Sequence, residues 1–293
     1  MREIIHYAND RMSNLYVAFL DIEKAFDNVW QYGLLYKLKR KSLNIYLWKI
    51  IADSFMNFKI CISINNLRSY WIKVTKGVHQ GGPLSGLLFQ IFFDDLLSII
   101  QDKKAGIKVY DMEFSCLAFA DDLALVSLSP NELQHMVNIA NQYSKKWRFH
   151  FNPRKCEIMC FGNDTKHLDI RLDNHKLKTV HRINYLGTAL YNKKTIEKDI
   201  IEERIIKSYT KVWMLKSIGT ANIQINPISF ARGYWAAIIT SLCYGLFLCG
   251  ISKISLDKID SFHVNVAKSI QGLTSNCPSV VALAGIRWQR LSS

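Results

Sequence analysis

The 293-residue chain has too little glycine and proline, 14 and 5 residues, to be collagen-like or a low-complexity linker. Its seven cysteines (Cys61, Cys116, Cys156, Cys160, Cys243, Cys249 and Cys277) are odd in number and include no CxxC pair. That spacing argues against a zinc knuckle and against a disulfide framework, and reads as buried small apolar residues in a reducing compartment. The opening segment MREIIHYANDR lacks an apolar h-region, so no secretory leader is predicted and an intracellular location, cytoplasm or nucleus, is expected. Long apolar runs are almost absent. One uncharged stretch of twenty residues, 233–252, is long enough to span a hydrocarbon core, but Thr240, Ser241, Tyr244, Gly245 and Gly250 interrupt it. With a mean hydropathy of +0.01 it reads as a buried core helix, and no membrane is expected. Internal repeats are not found either.

What is present is a globular composition, 49% hydrophobic and 21% charged, able to bury a sizeable core. The length suits one large domain plus a smaller one. Lys and Arg number 38 against 24 Asp and Glu, a net charge of +14, and such a surface attracts polyanions, nucleic acid foremost. The cations are spread along the chain, which suits a groove tracking a phosphate backbone, although each cluster alone also reads as a solvated helix face.

Residues 15–20 (LYVAFL) predict a short strand ending at Asp21. Residues 33–56 have apolar residues at helical spacing with Lys and Arg between, predicting one basic amphipathic helix. FKICISI and LRSYWIKV predict two strands around Asn65-Asn66, followed by the glycine loop GVHQGGPLSG and a buried helix from Leu87 to Ile100. Residues 114–127 predict a hairpin with Asp121-Asp122 where its two apolar runs meet, and residues 131–147 a helix. EIMCFG and HRINYLGTALY predict further strands, whereas the segment from Lys193 onward lacks strand alternation and reads as helical. A boundary is therefore expected near residue 192, dividing 1–191 from 192–293.

Asp21, Asp121 and Asp122 stand out because carboxylates flanked by apolar strands repel one another and resist desolvation unless a cation joins them. A divalent ion with hard oxygen ligands answers that need, and paired ions about 3.5–4 Å apart serve phosphoryl transfer. An Asp-Asp pair is also ordinary turn chemistry. The glycine loop lies between the two acidic elements and Asn152-Pro153-Arg154-Lys155 follows the hairpin after one helix.

Taken in order, FLDIEKAFDNVW (19–30), GVHQGGPLSGLLF (77–89), LAFADDLALVS (117–127), FNPRKCEIMCFG (151–162) and YLG (185–187) resemble the successive palm motifs of reverse transcriptases, those of non-LTR (LINE-type) retrotransposons above all. The resemblance covers about residues 13–190. SLCYGLFLCG (241–250) and LDKIDSFHVNVAKSIQGL (256–273) are more weakly similar to the thumb region of those elements. It implies an α+β polymerase palm with partial fingers, a small antiparallel sheet backed by helices, over 1–191, then a helical thumb- or connection-like region over 192–293. The implied activity is RNA-directed DNA polymerisation with an RNA template, a DNA primer, dNTP and two Mg²⁺ ions, Mn²⁺ being the alternative metal.

Carried over by position, the resemblance implies Asp21 and Asp121 as metal-bridging carboxylates, Asp122 as the third acid and the Ile22 carbonyl as a further ligand. It implies Phe26 as the ring under the incoming sugar, and Gln80 and Gly81 as the loop against template base and nucleotide. Lys155 becomes the cation at the leaving pyrophosphate, and Tyr185, Leu186 and Gly187 the primer-grip turn. Asp27 reads as supporting, while Asp94, Asp95 and Asp10 fall on predicted helices outside the blocks and read as solvated. Gly82 and Gly86 depart from the pattern, where a polar residue and a proline are usual, which puts the start of the following helix in question. The chain begins about twenty residues before Asp21, so the preceding finger segments and an upstream endonuclease have no counterpart in it. The alternative expectation is therefore a catalytically inactive, truncated retroelement relic that binds nucleic acid through its basic surface. An RNA-directed RNA polymerase is disfavoured by Phe26, and a group II intron maturase fits LDIEKAFDNVW less well.

Overall fold

The structure, a computed structural model, describes residues 1–162, 168–192, 197–217, 227–246 and 252–291. The chain divides into two compact units, Met1–Lys193 and Lys194–Ser293.

The first unit opens with helix α1 (Arg2–Asp10) and strand β1 (Leu15–Asp21), whose residues are buried on both faces up to the last. A near-continuous apolar run is what a central strand requires, since both of its faces meet core. The expected helix over 33–56 is instead two, α2 (Gln31–Arg40) and α3 (Ile45–Met56). The break is local chemistry: Ser42 adopts a left-handed φ of 56°, and the Asn44 side chain accepts the Tyr46 N–H at 2.9 Å as an N-cap. The two expected strands after α3 form a hairpin in four pieces, β2 (Lys59–Ile60), β3 (Ser63–Ile64), β4 (Leu67–Arg68) and β5 (Ile72–Lys73). Asn65 and Asn66 both have positive φ, the conformation of a two-residue type I′ turn.

Helix α4 (Ser85–Gln101) begins two residues before the predicted start. A hairpin of β6 (Ile107–Val109) and β7 (Met112–Phe114) follows, then β8 (Cys116–Phe119) and β9 (Asp122–Ser127). Helix α5 (Pro130–Lys146) has its proline at the first helical position, where no backbone N–H is missed. Then come β10 (Glu157–Phe161), β11 (Arg171–Leu172), β12 (His175–Lys176), β13 (Lys178–Thr179), and the hairpin β14 (Arg182–Tyr185) and β15 (Thr188–Tyr191).

The main sheet has the order β13-β10-β1-β9-β8. All its pairings are antiparallel except the two-residue β10–β13 contact. Because side chains alternate along a strand, Tyr16, Ala18 and Leu20 face a core shared with α2, α4 and α5, whereas Leu15, Val17 and Phe19 face one shared with α1, β6 and β15. The expected α+β architecture with helices behind a small sheet is present.

Within the helical layer the basic residues of α2 are not all on a solvated face: Lys37 is 2% exposed. Its ammonium donates to the Phe92 carbonyl and the Tyr143 hydroxyl, lies 3.2 Å from Asp95, and stands 4.0 Å from the Trp147 ring centroid. Asp95 is thus a partner of a buried cation, and Asp94 meets Lys41 at 2.6 Å. Asp10 is exposed beside His6, 2.9 Å away.

The second unit is helical, with α6 (Glu197–Ser217), α7 (Pro227–Gly233), a π-helical turn (Tyr234–Ile239), α8 (Thr240–Cys243), α9 (Lys253–Ile270) and α10 (Ser279–Ala284), and no strand among the described residues. Tyr234, Ile238, Leu242, Phe262 and Trp288 are among the side chains of its core. Part of the uncharged stretch is buried there, and among the described residues no helix is long and apolar enough to cross a membrane. The cysteines divide. Cys116, Cys156 and Cys160 are buried as expected, but Cys243 is exposed and Cys61 and Cys277 are half-buried, because they fall on surface elements. Cys249 lies outside the described residues.

Candidate active site

Strand register brings the acidic residues together. Asp21, the last residue of β1, is the cross-strand partner of Asp122, the first of β9, and directly opposed residues have Cβ atoms about 4.5–5.5 Å apart. Asp121 sits beside them in the two-residue turn Ala120-Asp121, between the partners Phe119 and Asp122. Ala120 has a φ of 52°, strained for a residue with a Cβ. Three carboxylates separated by 100 positions thus share one end of the sheet.

Their environment is unsettled in the way the residue types suggest. The Asp21 Oδ2 atom is enclosed and has no hydrogen-bond partner. The Lys155 ammonium, 3.6 Å away, forms an ion pair with it but stands beyond hydrogen-bonding reach. Asp122 has its pKa raised by partial burial, then by the charges of Asp121 and Asp21. Lys155 is delivered by a turn in which the Asn152 side chain accepts the Arg154 N–H at 3.2 Å and the Asn152 carbonyl accepts the Lys155 N–H at 3.0 Å.

Ile22 forms an isolated antiparallel bridge with Phe151, flanked by hydrogen bonds from Glu23 N–H to His150 and from Asn152 N–H to the Asp21 carbonyl. In such a non-hydrogen-bonded pair the residue's own C=O points away from its partner strand. That direction is the side of β1 on which β9 lies, so the groups this end of the sheet could offer a cation are all oxygens, the donor type that suits Mg²⁺ or Mn²⁺. Among the described residues no three His, Cys, Asp or Glu side chains are already drawn into a ligand cluster. Three mutually repelling anions have no reason to close on one another without a cation.

Phe26 is half-buried and stacks on Phe89 of α4 with centroids 4.9 Å apart. The two rings line a cavity of about 490 Å³ together with Gly86, Gln90 and the residues Ala118, Phe119 and Ala120 that lead into Asp121. Gln80 is exposed and donates from Nε2 to Asp27 Oδ1 at 2.6 Å. The loop is further tied to the residues after β1 by Val78 N–H to the Phe26 carbonyl and Gly77 N–H to the Val29 carbonyl, each 2.8 Å. Gly81 has a φ of 79°, so its glycine is required by conformation. The departures at Gly82 and Gly86 do not prevent α4 from starting at Ser85, whose hydroxyl donates to the His79 carbonyl.

Leu186 and Gly187, with φ of 49° and 73°, form the tight turn between β14 and β15. Tyr185 reaches back to the site: its ring lies 5.3 Å from that of Phe19, two residues before Asp21, and its pKa is raised by burial and then by Asp122. Asp21, Ile22, Asp121, Asp122, Lys155 and Tyr185 are therefore brought to one end of the sheet. Phe26 lines the neighbouring cavity, and Gln80 and Gly81 occupy the loop bonded to its flank. Two contributors were not read from the sequence. Cys156 is buried and its Sγ accepts the Asp21 N–H at 3.4 Å, burial pushing its thiol up to about 11. Phe89 underlies Phe26, and its position inside a matching block was the only sign of it.

Residues 1–190 match the reverse transcriptase (RNA-dependent DNA polymerase) family. The retrovirus-related Pol polyprotein from type-1 retrotransposable element R2 of Nasonia vitripennis is 31% identical over 188 residues, 64% of this chain and 18% of that protein. The RNA-directed DNA polymerase from mobile element jockey of Drosophila melanogaster is 27% identical over 287 residues, 93% of this chain and 30% of its own length. A structure of telomerase from Candida tropicalis, 11% identical with a TM-score of 0.47, covers 98% of this chain and 48% of that one. The chain spans less than a third of the length of either curated relative. A match of this extent assigns membership: the chain belongs to the reverse transcriptase (RNA-dependent DNA polymerase) family, and its relatives are those of non-LTR retrotransposons.

Proposed function

We propose that this chain carries the polymerising palm of an RNA-directed DNA polymerase, which joins a dNTP to a primer 3′-OH on an RNA template. The observation that carries the reading is the register pair Asp21–Asp122 with Asp121 on the adjoining turn and an enclosed Asp21 oxygen that accepts no hydrogen bond. Asp21, Asp121 and the Ile22 carbonyl would hold two Mg²⁺ ions, with Asp122 as the adjacent acid. When bound, the ions supply neutralisation of phosphate charge and a more acidic attacking hydroxyl.

The remaining work falls to the chain's own groups. Phe26, braced from below by Phe89, leaves no space for a 2′-OH, which is the group distinguishing ribonucleotides. Gln80, steadied by Asp27, and Gly81 offer a side chain and an unobstructed backbone to the nucleotide and its template base. Lys155 Nζ, exposed beside Asp21, has a proton and a positive charge to give to a departing pyrophosphate. The Tyr185 turn holds the primer end near the carboxylates. Residues 192–293 act as a thumb-like region, and the free cysteines among the described residues suit a reducing interior, cytoplasm or nucleus.

Asp121→Ala is expected to abolish Mg²⁺-dependent primer extension, and undiminished extension refutes the assignment. Wild-type extension at background, with salt-sensitive nucleic-acid binding retained, favours the inactive binder instead.

A further inference from the structure

The hairpin β2–β5 lies outside the carboxylate cluster, and its composition is one-sided. From residue 54 to residue 93, forty positions, there is no Asp or Glu, while Lys59, Arg68, Lys73 and Lys76 all fall within the span. Lys59 and Lys73 are direct cross-strand partners, an arrangement that costs stability because like charges face each other. Neither takes part in an ion pair among the described residues.

The pairing also contains a bulge. Lys59 and Ile60 pair with Lys73 and Ile72, and Ser63 and Ile64 with Arg68 and Leu67. The outgoing strand thus has two residues between its paired segments and the returning strand three. Ser69 N–H bonds the Ile62 carbonyl at 2.9 Å, which leaves Tyr70 and Trp71 opposite Cys61. A bulge re-aims side chains, and here it presents Tyr70 at 86% and Trp71 at 64% exposure. Trp71, two residues from Lys73, shares the face of the lysine pair.

We propose that this hairpin is a docking platform for a single nucleic-acid strand, with bases stacking on Trp71 and Tyr70 and phosphates resting on Lys59 and Lys73. Exposed rings beside cations without counter-charge are the two elements of sequence-tolerant strand binding. An acidic peptide would satisfy the lysines but leave the rings without a matching partner. A second copy of the chain would bring the same lysine pair against itself. The platform is distinct from the carboxylates and rests on the polymerase reading only for the strand's role as template.

The test uses the full chain and a fluorescein-labelled oligouridylate, with oligothymidylate of the same length beside it. Trp71→Ala is expected to weaken binding on the order of tenfold, the loss of one base stack. Trp71→Phe should retain the affinity but lose the part of the tryptophan quenching that stacking on Trp71 produces. Lys59→Ser with Lys73→Ser should lower the slope of log affinity against log salt by roughly 1.4. Its melting temperature should stay level or rise, since a repulsive pair is gone, whereas lysines with a merely structural role would lower it. Unchanged affinity and salt slope in all these variants overturn the platform, as does Trp71-dependent self-association in sedimentation without an effect on strand binding. Repeating the titrations with Asp121→Ala separates the two readings: Trp71-dependent binding there stands whether or not the wild type extends a primer.

Discussion

The first unit holds two clusters of charge that obey opposite rules. At the sheet end, three carboxylates of one sign share partly open space, one enclosed oxygen accepts no hydrogen bond, and Asp122 is pushed toward its neutral form. In the helical layer, Lys37 is buried but surrounded by a carboxylate, a carbonyl, a hydroxyl and three rings. A charge that serves the fold is satisfied within the fold; the acidic cluster is left incomplete, and incompleteness of that kind marks a place for something from outside.

Removing a charge should therefore act on different properties at the two places. Asp21→Asn is expected to lower primer extension by about a thousandfold or more while leaving the urea midpoint level or higher, because it relieves repulsion. A large loss of stability would place Asp21 with the structural charges. Lys37→Ala should do the reverse, costing about 3 kcal/mol in urea unfolding by leaving Asp95 without its cation and the rings without their filling. Replacing Lys37 with Met and Asp95 with Leu together should recover most of that loss, and failure to recover would mean that the ion pair is not what holds α2 to α4.

The contrast sharpens with pH. Burial lowers Lys37 to about 8 from 10.5, only partly opposed by Asp95. The unfolded chain then binds the proton more tightly, so the cost of the buried charge is fully present below pH 8 and is relieved as pH rises toward 10.5. Wild type should gain on Lys37→Met by up to about 3 kcal/mol across that window, and a pH-independent difference would remove the buried charge as its cause. The smallest effect is expected at Phe26, which joins the two regions through Phe89. Phe26→Ala should raise ribonucleotide incorporation roughly tenfold, about 1.4 kcal/mol of discrimination. A loss of stability with sugar selection intact would assign the ring to the helical layer alone.

Much of this was legible in residue order. LYVAFL has no polar interruption, so a central strand ending at Asp21 could be read directly, and so could a hairpin with Asp121 at its tip. The pairing of Asp21 with Asp122 was not, because register depends on strands 100 residues apart. The break between α2 and α3 was hidden under a helical pattern that continues across Ser42. The β6–β7 turn has Tyr110 at a φ of 53°, a residue that gives no turn signal. The burial of Lys37 was not legible because its partners, Phe92, Asp95 and Tyr143, lie 55 or more positions away. The hydrogen bond from Gln80 to Asp27 belongs to the same class, since contacts between distant loops leave no periodic trace.

The pairing of β1 with β9 has one more consequence, for variation in length. Deleting one residue within β9 would carry Asp122 to the place of Leu123, in the core shared with α4 and α5, and adding one would turn Leu123 to the place of Asp122. This segment can accept exchanges of side chain but not changes in residue number. Tolerance of insertion should instead be found in the hairpin tip at Asn65-Asn66, where exposed strands of two residues have no second face to protect.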